Sequence, residues 1–202
     1  CGMSVLPPSL RLNDEPLDEV QINRVRRHPA LSVAMLDVVQ GSPAAALRAI
    51  LQHHEREDGS GYPFGLRARG ISDHARVVAV ADAYCAAAGG RKYRLAPKPP
   101  HAAMTEIVRG AAAGVFDREA ARALVSALGL FPIGSHVRLT DGRRAVVEAA
   151  NWDRTERPGV RSVATGPRLA RDEETIDLDL APDWELAIAG PTEAPVRFAA
   201  AA

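Results

Sequence analysis

The sequence has little of several things that would narrow its function quickly. It holds two cysteines, Cys1 and Cys85, in 202 residues. That excludes a disulfide framework and makes a reducing cytoplasm the expected compartment. Formal net charge is zero, with 25 basic and 25 acidic residues. A global pull toward a DNA or RNA polymer or an anionic membrane is therefore not expected, and any anionic ligand must be held by a local cluster. No apolar run approaches the roughly 20 residues that span a bilayer, and no secretory signal pattern is visible. Aromatics make up 4% of the chain and apolar residues 47%, with much alanine. This composition predicts a helical, closely packed core.

What is present is a succession of helix signals followed by strand signals. Pro7, Pro8 and Pro16 predict an extended connector over residues 4–16. Residues 17–27 carry a loose helical pattern at Leu17, Val20, Ile22 and Val25. His28 precedes Pro29, which places it at a helix–helix junction, with 29–39 as the next helix. Ser42-Pro43 opens a helix expected to run to about residue 57, where Gly59-Ser60-Gly61-Tyr62-Pro63 stops it. Ser72-Asp73 starts a helix of about 15 residues, closed by Gly89-Gly90, and two more helices are expected near 101–112 and 117–129. After Pro132 the pattern changes. SHVRLT and RAVVEAA flank Asp141-Gly142 as two strands and a tight turn, and VRSVAT and TIDLDL add further strands. Trp152 and Trp184 are expected to pack this β-rich end.

The chemistry concentrates at HHEREDGSGYPFGL, residues 53–66. Neighbouring helical residues point about 100° apart. Adjacent His53 and His54 thus make sense if each reaches a different metal, or if the helix end lies edge-on to a metal cluster. Asp82 lies inside VVAVADAY, where an unpaired carboxylate is costly. A metal would explain it, and so would an ion pair with Arg76. Arg91, Lys92 and Arg94 follow the Gly89-Gly90 break and read either as a phosphate clamp or as a solvated basic loop. Glu55 reads as a histidine partner or as a solvated acid. Cys85 reads as a small buried thiol.

These segments, with GGRKYR and the upstream RRHPALSVAML, resemble the HD-GYP family of cyclic di-GMP phosphodiesterases. The resemblance runs from about residue 4 to 130, and PIGSHVRLTDGRRAVV resembles a β extension found after many such domains. It implies a mainly α fold: an HD-type helical bundle followed by a small β-rich C-terminal extension. The expected layout is the C-terminal part of an HD-GYP helical domain over 1–130, a small β-rich extension over 131–190 and a flexible tail over 191–202. It implies two or three divalent metal ions, Fe or Mn, with His28, His53, His54 and Asp82 as ligands. Tyr62 of the Gly61-Tyr62-Pro63 corner, with Arg91 and Arg94, would face substrate. Glu55, Asp58 and Arg76 would support them from behind. The implied reaction is bacterial second-messenger hydrolysis of cyclic di-GMP to pGpG or GMP by a metal-activated water, with no side-chain nucleophile. A protein partner at the GYP loop and a homodimer complete the expected partners.

The resemblance has gaps. The family's His-Asp pair would fall immediately before Cys1, and Met3 stands where the family has a lysine. The start Cys1-Gly2-Met3 reads as a scar before an initiator Met or as the interior of a longer chain. A longer protein, a degenerate member that binds cyclic di-GMP or a signalling partner without catalysis, and completion of the site by a second chain are the three readings that follow. A phosphohydrolase of another nucleotide is disfavoured by the GYP corner with Arg91 and Arg94.

Overall fold

A computed structural model describes residues 2–11, 16–39, 41–89, 97–163, 175–180 and 186–192. The chain divides into two compact units, 1–98 with 105–122, and 99–104 with 123–202.

The first unit is helical. A 3-10 turn, Gly2–Val5, and a one-turn helix α1, Pro8–Arg11, occupy the segment expected to be an extended connector. Leu6 and Leu10, four residues apart, are both buried, a spacing that a helical turn brings onto one face. Gly2 packs so closely on α3 that a Cβ there would sit 2.0 Å from the His28 carbonyl oxygen, while its N–H donates to Ser32 Oγ at 2.7 Å.

Helix α2, Glu19–Val25, begins with a capping box in which Asp18 and Gln21 satisfy each other's backbone N–H groups. A two-residue turn leads to α3, His28–Leu36, with Pro29 in its first turn, as the His-Pro junction predicts. Helix α4, Ala44–Gln52, ends five residues before the expected boundary. Beyond Gln52 the backbone groups are used elsewhere: Tyr62 N–H donates to His54 O, and Glu57 N–H to Val115 O. Helix α5, Asp73–Ala88, is capped by the Ser72 hydroxyl, which accepts from Ala75 N–H. Helices α6, Pro100–Ala112, and α7, Arg118–Leu128, fall where the sequence places them. Helix α3 packs on the 3-10 turn and on α4, and α4 packs on α5. Ala75, Ala79 and Val80 on α5 are fully buried, which accounts for the small residues along that helix.

The second unit carries an antiparallel sheet of order β4-β3-β2-β1-β5. Its strands are β1 His136–Leu139, β2 Arg144–Ala149, β3 Gly159–Val163, β4 Thr175–Asp177 and β5 Ile188–Pro191. The β1–β2 turn uses Gly142 at φ 91°, the role Asp141-Gly142 predicts. Strand β5 was not legible in the sequence; it pairs Val137 with Pro191 on the outer edge of β1. Val137, Leu139, Val147, Val160 and Leu178 form the core. Arg157, 3% exposed, crosses behind it and donates to the Leu178 and Leu186 carbonyls. Trp152 is 75% exposed and does not pack the sheet, because its turn leaves the sheet after β2. Trp184 lies outside the described residues. Among the described residues no helix is long and apolar enough to cross a membrane.

Candidate metal centre and adjoining cavity

Three imidazoles meet where the N-terminus of α3 approaches the C-terminus of α4. His28 Nε2 lies 3.4 Å from His53 Nε2 and 3.2 Å from His54 Nε2. Candidate ligand atoms of all three lie within 4.8 Å of one another. The adjacent histidines converge because the helix has already ended: His53 is the C-cap of α4, and both rings leave its closing turn, 4.0 Å apart and tilted by 38°.

The outer ring nitrogens fix the tautomers. His28 Nδ1 lies 2.9 Å from the Val25 carbonyl and His53 Nδ1 lies 2.7 Å from the Ile50 carbonyl. A carbonyl only accepts, so both Nδ1 atoms carry protons. In the neutral rings both Nε2 atoms are then unprotonated, held 3.4 Å apart, with His54 Nε2 3.2 Å from that of His28. Two nitrogens at about 2.1 Å from one tetrahedral ion lie about 3.4 Å apart, so the donor set and its spacing fit a divalent cation.

Asp82 on α5 stands on the other side of His54, with Oδ2 3.6 Å from Nδ1. The structure therefore places Asp82 beside the triad rather than within it. Arg76 does not pair with Asp82. Its Nε lies 3.1 Å from Glu57 Oε1, outside hydrogen-bond angles; its Nη1 lies 3.3 Å from Asp73 and 3.9 Å from Asp117, and its Nη2 donates to Ala68 O. It joins α5 to the base of the loop after the histidines.

That loop is built around Glu55, which is 1% exposed. Its carboxylate accepts from Phe64 N–H at 2.7 Å and Leu66 N–H at 2.8 Å, so it is neither a histidine partner nor a solvated acid. Asp58 accepts from the Ser60 N–H and hydroxyl, which hold its carboxyl below the usual range. Gly61 passes so close to the His54–Arg56 backbone that a Cβ would lie 2.4 Å from Glu55 Cα. The Tyr62–Pro63 peptide is cis. These contacts carry the Tyr62 ring onto His54, stacked at 4.6 Å and 26°.

A cavity of about 640 Å³ opens beside this stack, in the size range of small-molecule pockets. Its polar lining includes His28, His54, Arg56, Tyr62 and Asp82, and Ala83, Ala86 and Ala87 of α5 form a smooth apolar wall. Cys85 is exposed rather than the small buried thiol expected. Arg91 and Arg94 lie outside the described residues. Two other arginines, Arg26 and Arg56, line the cavity without a motif in the sequence that marks them. Arg26 stands two residues before His28, and Arg56 hides in an alternating charge run that reads as solvated surface. Burial pushes the Arg56 guanidinium below its ordinary value, partly opposed by Asp82 and other nearby groups.

Helices that bring three imidazoles together beside a cavity define a helical domain whose histidines could hold a metal, and the comparisons with known proteins give its kinship. The family described as "HD domain" matches residues 1–120. Cyclic di-GMP phosphodiesterase PA4108 of Pseudomonas aeruginosa is 39% identical over 148 residues, covering 72% of this chain and 34% of that protein. Cyclic di-GMP phosphodiesterase response regulator RpfG of Xanthomonas campestris is 41% identical over 95 residues, covering 46% and 25%. Among solved structures, Bd1817, an HDG"Y"P protein from Bdellovibrio bacteriovorus, superposes with a TM-score of 0.50 at 19% identity, covering 63% of this chain and 39% of that one. The chain belongs to the HD domain family, in its HD-GYP branch. It spans about a third of the length of the first relative and a quarter of the second.

Proposed function

We propose that the cavity takes cyclic di-GMP and that the protein hydrolyses its phosphodiester bonds, giving pGpG or GMP. The observation that carries this is the pair of unprotonated Nε2 atoms beside a cavity walled by a stacked tyrosine and two arginines. His28, His53 and His54 would hold a divalent ion, Fe or Mn. Asp82 joins them as a further ligand or orients His54 through Nδ1. When bound, the metal supplies an activated water and a sink for negative charge on the phosphate. The chain's own groups do the rest. Val25 and Ile50 carbonyls keep two rings in the ligating tautomer. Tyr62 holds the His54 plane. The α5 alanine wall leaves room for a base and sheds water from one side of the site. Names of the relatives support the substrate.

The reading is tested by incubating the protein anaerobically with Fe(II), and separately with Mn(II), and separating the nucleotides by chromatography. Appearance of pGpG or GMP, abolished by His53→Ala with His54→Ala, is expected. Met3, in the place of the family's lysine, favours a second reading in which the domain binds cyclic di-GMP without cleaving it. Saturable binding with no product over hours would select that reading.

A further inference from the structure

Arg56 and Arg26 face the cavity, and neither makes a direct ion pair with an acid among the described residues. Arg56 Nη1 donates to the carbonyls of His53 at 3.3 Å and Glu55 at 2.8 Å, and its guanidinium lies 4.9 Å from the centre of the Phe116 ring. These contacts fix the group but use one nitrogen. Nε and Nη2 make no hydrogen bond to a described residue. Arg26, exposed in the α2–α3 turn, lies over the Tyr62 ring at 5.4 Å. Of the cavity's carboxylates, Asp82 stands at His54 and acts on Arg56 only from a distance, and Glu106 pairs with Lys98. A half-buried guanidinium with no carboxylate in direct contact is costly to desolvate; Asp82, Asp58 and Glu55 offset part of that cost from a distance, and an arriving anion offsets more. The planar fork of arginine matches two oxygens of one phosphate.

We propose that Arg56 and Arg26 form the phosphate-binding edge of this cavity, with Arg56 as a fixed fork held by the backbone next to the metal ligands and Arg26 as an exposed arm above Tyr62. The inference rests on the reading of the cavity as a cyclic dinucleotide site, and it names the residues that take the phosphodiester there. It also gives this chain a cation pair where Met3 offers none.

Titration calorimetry with two probes, cyclic di-GMP and inorganic phosphate, tests it on the wild-type protein, Arg56→Gln, Arg56→Lys and Arg26→Gln. Arg56→Gln should weaken both probes about tenfold or more, the usual loss for a charge-assisted hydrogen bond. Arg56→Lys should lose less, since a point charge remains, and Arg26→Gln should weaken both about threefold. Unchanged affinity in a folded Arg56→Gln overturns the proposal while leaving cyclic di-GMP as the ligand. Arginine-dependent phosphate binding without cyclic di-GMP binding supports the phosphate edge and overturns the substrate. Failure of the wild type to bind either probe overturns both. Should Arg56→Gln not fold, Arg26→Gln decides: retained wild-type affinity overturns the pair.

Discussion

His54 receives more constraints than any other side chain of the site. Its ring stacks on Tyr62, faces His28 through Nε2 and Asp82 through Nδ1, and is 8% exposed. A ring so placed is oriented before any metal arrives. His54→Ala should therefore lower Mn(II) affinity by about a hundredfold, read as retained metal after dialysis, and Asp82→Asn by about tenfold or more. Glu55 matters for a different reason. In Glu55→Gln one carbonyl oxygen remains, and an NH₂ group then faces a backbone N–H. The expected loss is about 1–3 kcal/mol in a urea titration, with the site loosened but its ligands intact. The histidines were legible because two adjacent imidazoles have few ordinary uses. Glu55 was not, because its partners are backbone N–H groups of Phe64 and Leu66, which no sequence pattern marks.

At the scale of elements, the loop after α4 is the part that turns a helix end into a site. Gly61 leaves no room for a side chain against Glu55 Cα and the His54 carbonyl. Gly61→Ala should cost about 1–3 kcal/mol by overpacking and, because the Tyr62 stack moves with it, should also reduce metal retention. A variant that loses stability alone, with wild-type Mn(II) content, would separate the loop from the centre. The Gly-Pro corner was readable as a stop, yet the true end of α4 was not. Gln52 ends the helix because the next backbone groups bond to Tyr62 and Val115, eight and more residues away. Strand β5 escaped for a related reason: its pairing with β1 joins residues about fifty positions apart, and a short segment beside a proline carries little strand signal of its own.

For the whole molecule, the two units carry separate vulnerabilities. In the second, His101 at the start of α6 is pushed below the ordinary imidazole value by burial and by His136 nearby. The unfolded chain then binds that proton more readily than the folded unit. Its contribution is fully present above the unfolded value of 6.5 and declines as pH falls below it. Hydrogen exchange of the β1 and β2 amides, corrected for intrinsic rates, should show protection falling between about pH 7 and 5, with a flatter profile in His101→Gln. In the first unit everything depends on the three imidazoles being a metal centre. The most direct measurement is an anaerobic titration of the metal-stripped protein with Mn(II), followed by electron paramagnetic resonance, for the wild type and for His53→Ala with His54→Ala. Tight uptake with nitrogen hyperfine coupling in the wild type, absent from the double variant, is the predicted result. Equal, weak uptake in both, with no nitrogen coupling, would contradict it.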